Sequence, residues 1–174
     1  MSVKPISARS THWLKTVHIV LAGLWLGGAT GLVAMNLGLN ATSGGQLFGQ
    51  DLAMKLIDDL VVIPAAIGTL ITGLLYSIFT KWGFFKHAWV IVKWAITLVA
   101  IILGTFFLGP WLNSLPPISS AQGLEAFADP VYQQNRTLNL WFASLQVATL
   151  LTATWLSVFK PWSKRKGRRV GGMS

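Results

Sequence analysis

Four apolar stretches, at about residues 17–37, 60–79, 88–108 and 138–159, set the terms for everything else in this chain. A bilayer core about 30 Å thick is crossed by roughly 20 apolar residues in a helix. In lipid, a segment must satisfy its own backbone polar groups, which leaves helices or closed barrels. None of the four stretches alternates with period two, so each reads as a helix. The charged fraction supports this, at 11% against about 25% in soluble domains. The first stretch is expected to remain as a membrane helix, because its apolar run is too long for a cleaved signal and no A-x-A-like site closes it. The sequence therefore predicts an all-α, integral membrane four-helix bundle. It forms a single transmembrane domain over 1–174, with a basic tail at 160–174.

The formal net charge of +9 becomes an orientation once it is sorted by loop. Eleven of the fourteen basic residues flank one side of the predicted spans, including Lys15, Lys81, Lys160 and the run Lys164-Arg165-Lys166. The other side has Lys55, Arg136 and all five acids: Asp51, Asp58, Asp59, Glu125 and Asp129. The bias places both termini and the short 81–87 loop in the cytoplasm. No nucleic-acid motif accompanies the charge. Membrane lipid is the expected partner, and the tail can touch anionic headgroups. Trp13, Trp82, Trp89 and Trp162 fall near the inner interface and Trp111 and Trp141 near the outer one, as anchoring tryptophans do. Trp25, Trp94 and Trp155 lie deeper.

The tight 81–87 loop predicts that spans two and three are antiparallel neighbours. Residues 40–49 read as a turn region, and 46–60 as an amphipathic outward extension of span two, kinked at Pro64. The second outer loop is expected from Pro116-Pro117, with a short surface helix over 119–128. Asp129-Pro130 has the form of a helix cap followed by Pro at the first helical position.

Polar side chains inside a membrane usually turn into the bundle. Helical spacing puts His18, Ala22, Trp25, Ala29 and Asn36 on one strip of span one, and Gly23, Gly27 and Gly31 on the opposite strip. The second strip has small-xxx-small spacing, so span one is expected to be contacted on two sides. Thr69, Thr72, Gly73 and Tyr76 share a face of span two. Lys93, Thr97, Ala100 and Gly104 align on span three, and Asn139, Ala143, Gln146, Ala153 and Ser157 on span four. Turning these strips inward gives a bundle with a partly polar seam.

His18 and Lys93 are the residues most open to a chemical role. Lys93 enters its span by about 9 Å, to a depth comparable with His18. A haem b site between spans one and three is one reading, since imidazole is a usual axial ligand. His18 would bind first, with His87 or Lys93 opposite and Trp25 or Trp94 packed on the porphyrin. His18 as a proton-transfer group is a second reading. Hydrogen bonding of His18 to a nearby Thr or Asn, with Lys93 snorkelling, is a third. His18 and His87 are the metal-ligand candidates. The chain has no Cys, which removes disulfides, thiolate metal sites and cysteine nucleophiles. Asp58 and Asp59 do not converge as a catalytic dyad, because neighbours on a helix diverge by about 100°, and only one of them can face the seam.

The segment Lys15-Thr16-Val17-His18-Ile19-Val20-Leu21-Ala22-Gly23-Leu24-Trp25-Leu26-Gly27-Gly28 resembles the opening span of the copper-resistance D group. It also resembles that of the J-type protoporphyrinogen oxidase group. Val90-Ile91-Val92-Lys93-Trp94-Ala95 looks like the Lys-bearing span of the latter. The resemblance implies a small helical bundle of the bacterial inner membrane with His18 and Lys93 as haem-linked residues. Where the oxidases carry Arg and a further His, this chain reads Gly31-Leu32-Val33-Ala34-Met35-Asn36. That departure bears more on porphyrinogen oxidation than on haem binding. The functional expectation is a haem b protein of membrane redox chemistry. A structural or accessory subunit of a homo-oligomer or larger membrane complex, and a small ion or metal permease, stand as alternatives.

Overall fold

The computed structural model describes residues 7–79 and 88–160, which are helical apart from short connections. Helix α1 is Ala8–Gly38, opened by Ser7, whose side chain accepts from the Ser10 N–H. Helix α2 (Gly44–Ile57) continues through a π-helical turn (Asp58–Val62) into α3 (Ile63–Phe79). Helix α4 (Ala88–Leu103) likewise passes through a π turn (Gly104–Leu108) into α5 (Gly109–Asn113). Then come α6 (Leu115–Gln122), a 3-10 turn (Gly123–Ala128) and α7 (Pro130–Phe159). Four continuous helical stretches are long and apolar enough to cross a membrane: Ala8–Gly38, Gly44–Phe79, Ala88–Ala128 and Pro130–Phe159. The four-span, all-α expectation holds, and each stretch is longer than its apolar core.

Both π turns have the same local cause. Pro64 and Pro110 each stand two residues past the end of the turn, lack an N–H and crowd the carbonyl four residues back. The chain responds by widening, so the N–H groups of Ile63 and Gly109 return to Asp58 and Gly104, five residues back. The expected kink at Pro64 is thus a π turn within a continuous helix. The expected amphipathic extension of span two is α2. The turn region is shorter than expected, because α2 already begins at Gly44. Pro116 and Pro117 lie in the first turn of α6 instead of opening a loop, since a first turn has no use for their missing N–H. Asp129 caps α7 as expected, its carboxylate accepting from the N–H groups of Val131 and Tyr132 at 2.8 and 3.1 Å.

Helix α1 is central. It packs against α3 on one side and α7 on another, and α4 packs on α7. Missing side chains bring α1 and α3 together. A Cβ on Gly28 would stand 2.8 Å from Val62 Cγ2, and one on Gly68 would stand 2.8 Å from Leu21 Cδ1. The close glycines are therefore Gly28 and Gly68. Gly23, Gly27 and Gly31 have open space around them, so among the described residues that strip is not a contacted face. Helices α3 and α4 share no substantial contact, contrary to the expected neighbour pairing. Helix α1 draws α3 to itself, and the Ala143–Gln146 face of α7 seats α4; the 81–87 loop lies outside the described residues.

The tightest packing lies beyond the far end of the spans, opposite the chain ends. Leu47, Met54, Leu112, Leu115, Ala126 and Tyr132 are almost wholly enclosed where α2, α5, α6 and the start of α7 meet. Gly44 abuts Gly123 there, backbone against backbone, and Gly123 takes a positive φ of 58°. The 119–128 segment is the expected short surface helix, the end of α6 followed by a 3-10 turn, mostly exposed and anchored to the cap through buried Ser119 and Ala126. Within the spans, Ile19, Leu24, Ile71, Val99, Leu151 and others face outward, the pattern expected where lipid is the solvent. Trp13 and Trp141 are exposed as anchors are, whereas Trp89 is only 7% exposed and packs inward. Trp82 and Trp162 lie outside the described residues.

Candidate functional site

The inward strips meet as expected. Trp25, Ala29 and Asn36 of α1, Thr69 and Thr72 of α3, Ala100 of α4, and Asn139, Ala143 and Gln146 of α7 are all buried. In a membrane such polar groups require partners, and the partners define three levels along the bundle.

At the level nearest the chain ends, His18 Nδ1 lies 2.8 Å from Thr72 Oγ1. The Thr72 hydroxyl has one proton, directed at the Gly68 carbonyl at 2.7 Å, with the Thr69 carbonyl at 3.2 Å. That leaves its oxygen to accept from His18 Nδ1–H. His18 Nε2 then carries the lone pair. The ring lies against α3 where Gly73 has no side chain; a Cβ there would stand 3.4 Å from His18 Cε1. Lys93, half-buried on α4, is close enough for its charge to act on His18. Its ammonium sits 6.0 Å from the Trp89 ring centroid, the outer limit of a cation–π contact. His87 lies outside the described residues. Trp94 is half-buried on α4. Trp25, two turns along the His18 strip, is 2% exposed, and among the described residues its Nε1 has no hydrogen-bond partner. Thr69 Oγ1, beside Thr72, is also buried without one.

The middle level is a small cavity of about 20 Å³ lined by Ala29, Leu32, Asp58, Val62, Leu108, Asn139 and Gln146 among others. Asp58 faces it, while Asp59 turns away into an ion pair with Lys55. The divergence expected of adjacent helical residues separates the two acids in this way.

The outer level was not read from the sequence. Asp51 is fully buried and receives the Tyr132 hydroxyl at 3.1 and 2.9 Å from its two oxygens. Arg136, one turn further along α7, donates from Nε and Nη2 to Asn36 Oδ1 and O at 3.2 and 3.1 Å. Its guanidinium stands 5.3 Å from the Phe127 ring centroid. One signal was present in the sequence: Tyr132 and Arg136 are four residues apart on a helix and so share a face.

Among the described residues no three His, Asp or Glu side chains converge as metal ligands. A haem needs only one or two protein ligands, so the absence of such a cluster does not bear on one. His18 has its second nitrogen fixed by a hydrogen bond, as metal-bound imidazoles usually do. The donors on Trp25 and Thr69 have no partner among the described residues. What fold and site define together is a four-span helical membrane protein with a histidine set in its inner seam. Compared with known proteins, the chain matches no family model, no curated protein and no solved structure.

Proposed function

We propose that this protein binds haem b in the bacterial inner membrane, through His18, and takes part in membrane redox chemistry. The observation that carries the reading is the His18–Thr72–Gly68 chain, which favours the ligating tautomer of the imidazole. Lys93 is the nearest candidate for a second ligand, and Trp25 and Trp94 are the aromatic candidates to pack on the ring. When bound, the haem supplies one-electron chemistry. The chain's own residues hold and orient the imidazole and keep its Nδ1–H donating to Thr72 Oγ1. The basic bias of the flanks supports cytoplasmic termini. A reduced-minus-oxidised spectrum of protein purified after haem supplementation tests the proposal. A Soret and an alpha band in the wild type, lost in His18→Ala, are expected. Absence of both bands from the wild type overturns it.

A second reading, an accessory subunit of a larger membrane complex, is favoured by the open space beside Gly23, Gly27 and Gly31. Partner subunits that co-purify with the wild type and are lost from Gly27→Leu would support it. A monodisperse protein that carries the haem bands alone speaks against it.

A further inference from the structure

The cavity at the middle level lies about 16 Å along α1 from His18, counted from eleven residues to Ala29, and the haem reading makes no use of it. Its polar lining consists of Asp58, Asn139 and Gln146. The amide nitrogen of Asn139 is given to the Leu108 carbonyl at 3.1 Å. That of Gln146 is directed at the Ala100 carbonyl at 3.5 Å. These bonds orient both amides. Among the described residues no donor reaches Asn139 Oδ1, Gln146 Oε1 or either carboxylate oxygen of Asp58.

The charges nearby are committed elsewhere. Lys55 is paired with Asp59. Arg136 is held on Asn36, and its charge acts on Asp51. Asp58 thus faces the space outside any ion pair, and the Lys55 charge that acts on it is itself held in contact with Asp59. Both π turns border the same space, through Asp58 and Val62 on one side and Leu108 on the other. Such turns occur often at functional sites. Interrupted membrane helices are also where small cations are held in ion-coupled proteins.

We infer that Asp58, Asn139 and Gln146 form an internal site for a small monovalent cation. The three side chains offer hard oxygen atoms around a space of about 20 Å³, enough for one water-sized particle. A single carboxylate balances a single positive charge. Calcium, by contrast, takes six to eight oxygen ligands, and magnesium keeps several waters.

Sodium is the probe that tests the site. The full chain in lipid nanodiscs, at fixed pH and ionic strength, is to be unfolded thermally in Na+, K+ or choline chloride. Binding of radiolabelled Na+ is measured alongside. The wild type is expected to show a saturable rise in unfolding midpoint with Na+ over choline, together with stoichiometric Na+ binding. Asp58→Asn loses both, whereas Asp59→Asn, outside the cavity, keeps both. Ala143→Val fills the space and leaves every polar group in place. It also loses both, and it decides the matter if Asp58→Asn does not fold. Equal behaviour of the wild type in Na+ and choline overturns the inference, as does Na+ binding that survives Asp58→Asn. Stabilisation by acid alone, with no increment from Na+, assigns the site to a proton and overturns it equally.

Discussion

Replacing Thr72 by Val removes the oxygen that accepts from His18 while keeping the side chain's shape. Loss of such a supporting hydrogen bond typically weakens a metal or cofactor site by about 10–100-fold. Haem titration of Thr72→Val is expected to show a loss of that size, and Thr72→Ser is expected to retain wild-type affinity. At the other end of the molecule, Tyr132→Phe removes one of the hydroxyl donors to the buried Asp51, leaving Ser119. A hydrogen bond to a charged group contributes about 1.5–3 kcal/mol, so the unfolding midpoint should fall, with no effect on haem. His18 was legible in the sequence because a histidine inside an apolar helix is rare and its face follows from spacing. The Asp51–Tyr132 pair was not, since 81 residues separate its members and nothing local in either segment names the other.

Helical elements here are joined by devices that can be tested one at a time. Gly28 admits α3 so closely that a Cβ meets the branched side chain of Val62 at 2.8 Å. Gly28→Ala should destabilise by about 1–3 kcal/mol, as overpacking does, read from denaturant unfolding in detergent. Gly27→Ala meets nothing within 4 Å and should be neutral or slightly stabilising, because Ala is the better helix former by about 1 kcal/mol. Equal effects of the two would contradict the packing of α1 on α3. At the start of α7, hydrogen bonds from Gln122 and from the backbone of Tyr132 hold the Asp129 carboxyl below the usual carboxylate range. A carboxyl whose folded pKa is lowered stabilises the fold above its unfolded value, and that contribution fades as pH falls through the folded one. Asp129→Ala should therefore lower stability at neutral pH and flatten its acid dependence. This cap was legible from Asp129-Pro130, and the α2 extension from its period. The π turns were only half legible: Pro64 announced a disturbance, but a kink and a widened turn satisfy the same missing N–H. The wrong pairing of spans two and three came from loop length alone, which says nothing of how strongly α1 and α7 hold those helices.

At the scale of the whole molecule, four spans with a packed cap beyond one end describe a membrane protein whose soluble-side core is denser than its membrane core. The count of spans was legible because lipid demands about twenty apolar residues each time. The cap was not, because α5 and α6 are short and carry prolines that read as loop signals. Orientation can be checked cleanly, since the chain has no native cysteine. Gly45→Cys, in α2 with open space around it, should react with an impermeant thiol reagent on intact cells. Ser174→Cys should react only after permeabilisation, and the reverse pattern would invert the topology. The haem reading stands on one imidazole, so titration of haem into the purified, haem-free protein tests it most directly. The wild type should bind one equivalent with a sharpened, shifted Soret band, and His18→Ala should leave the spectrum of free haem. Identical spectra for the two proteins would contradict the assignment of His18.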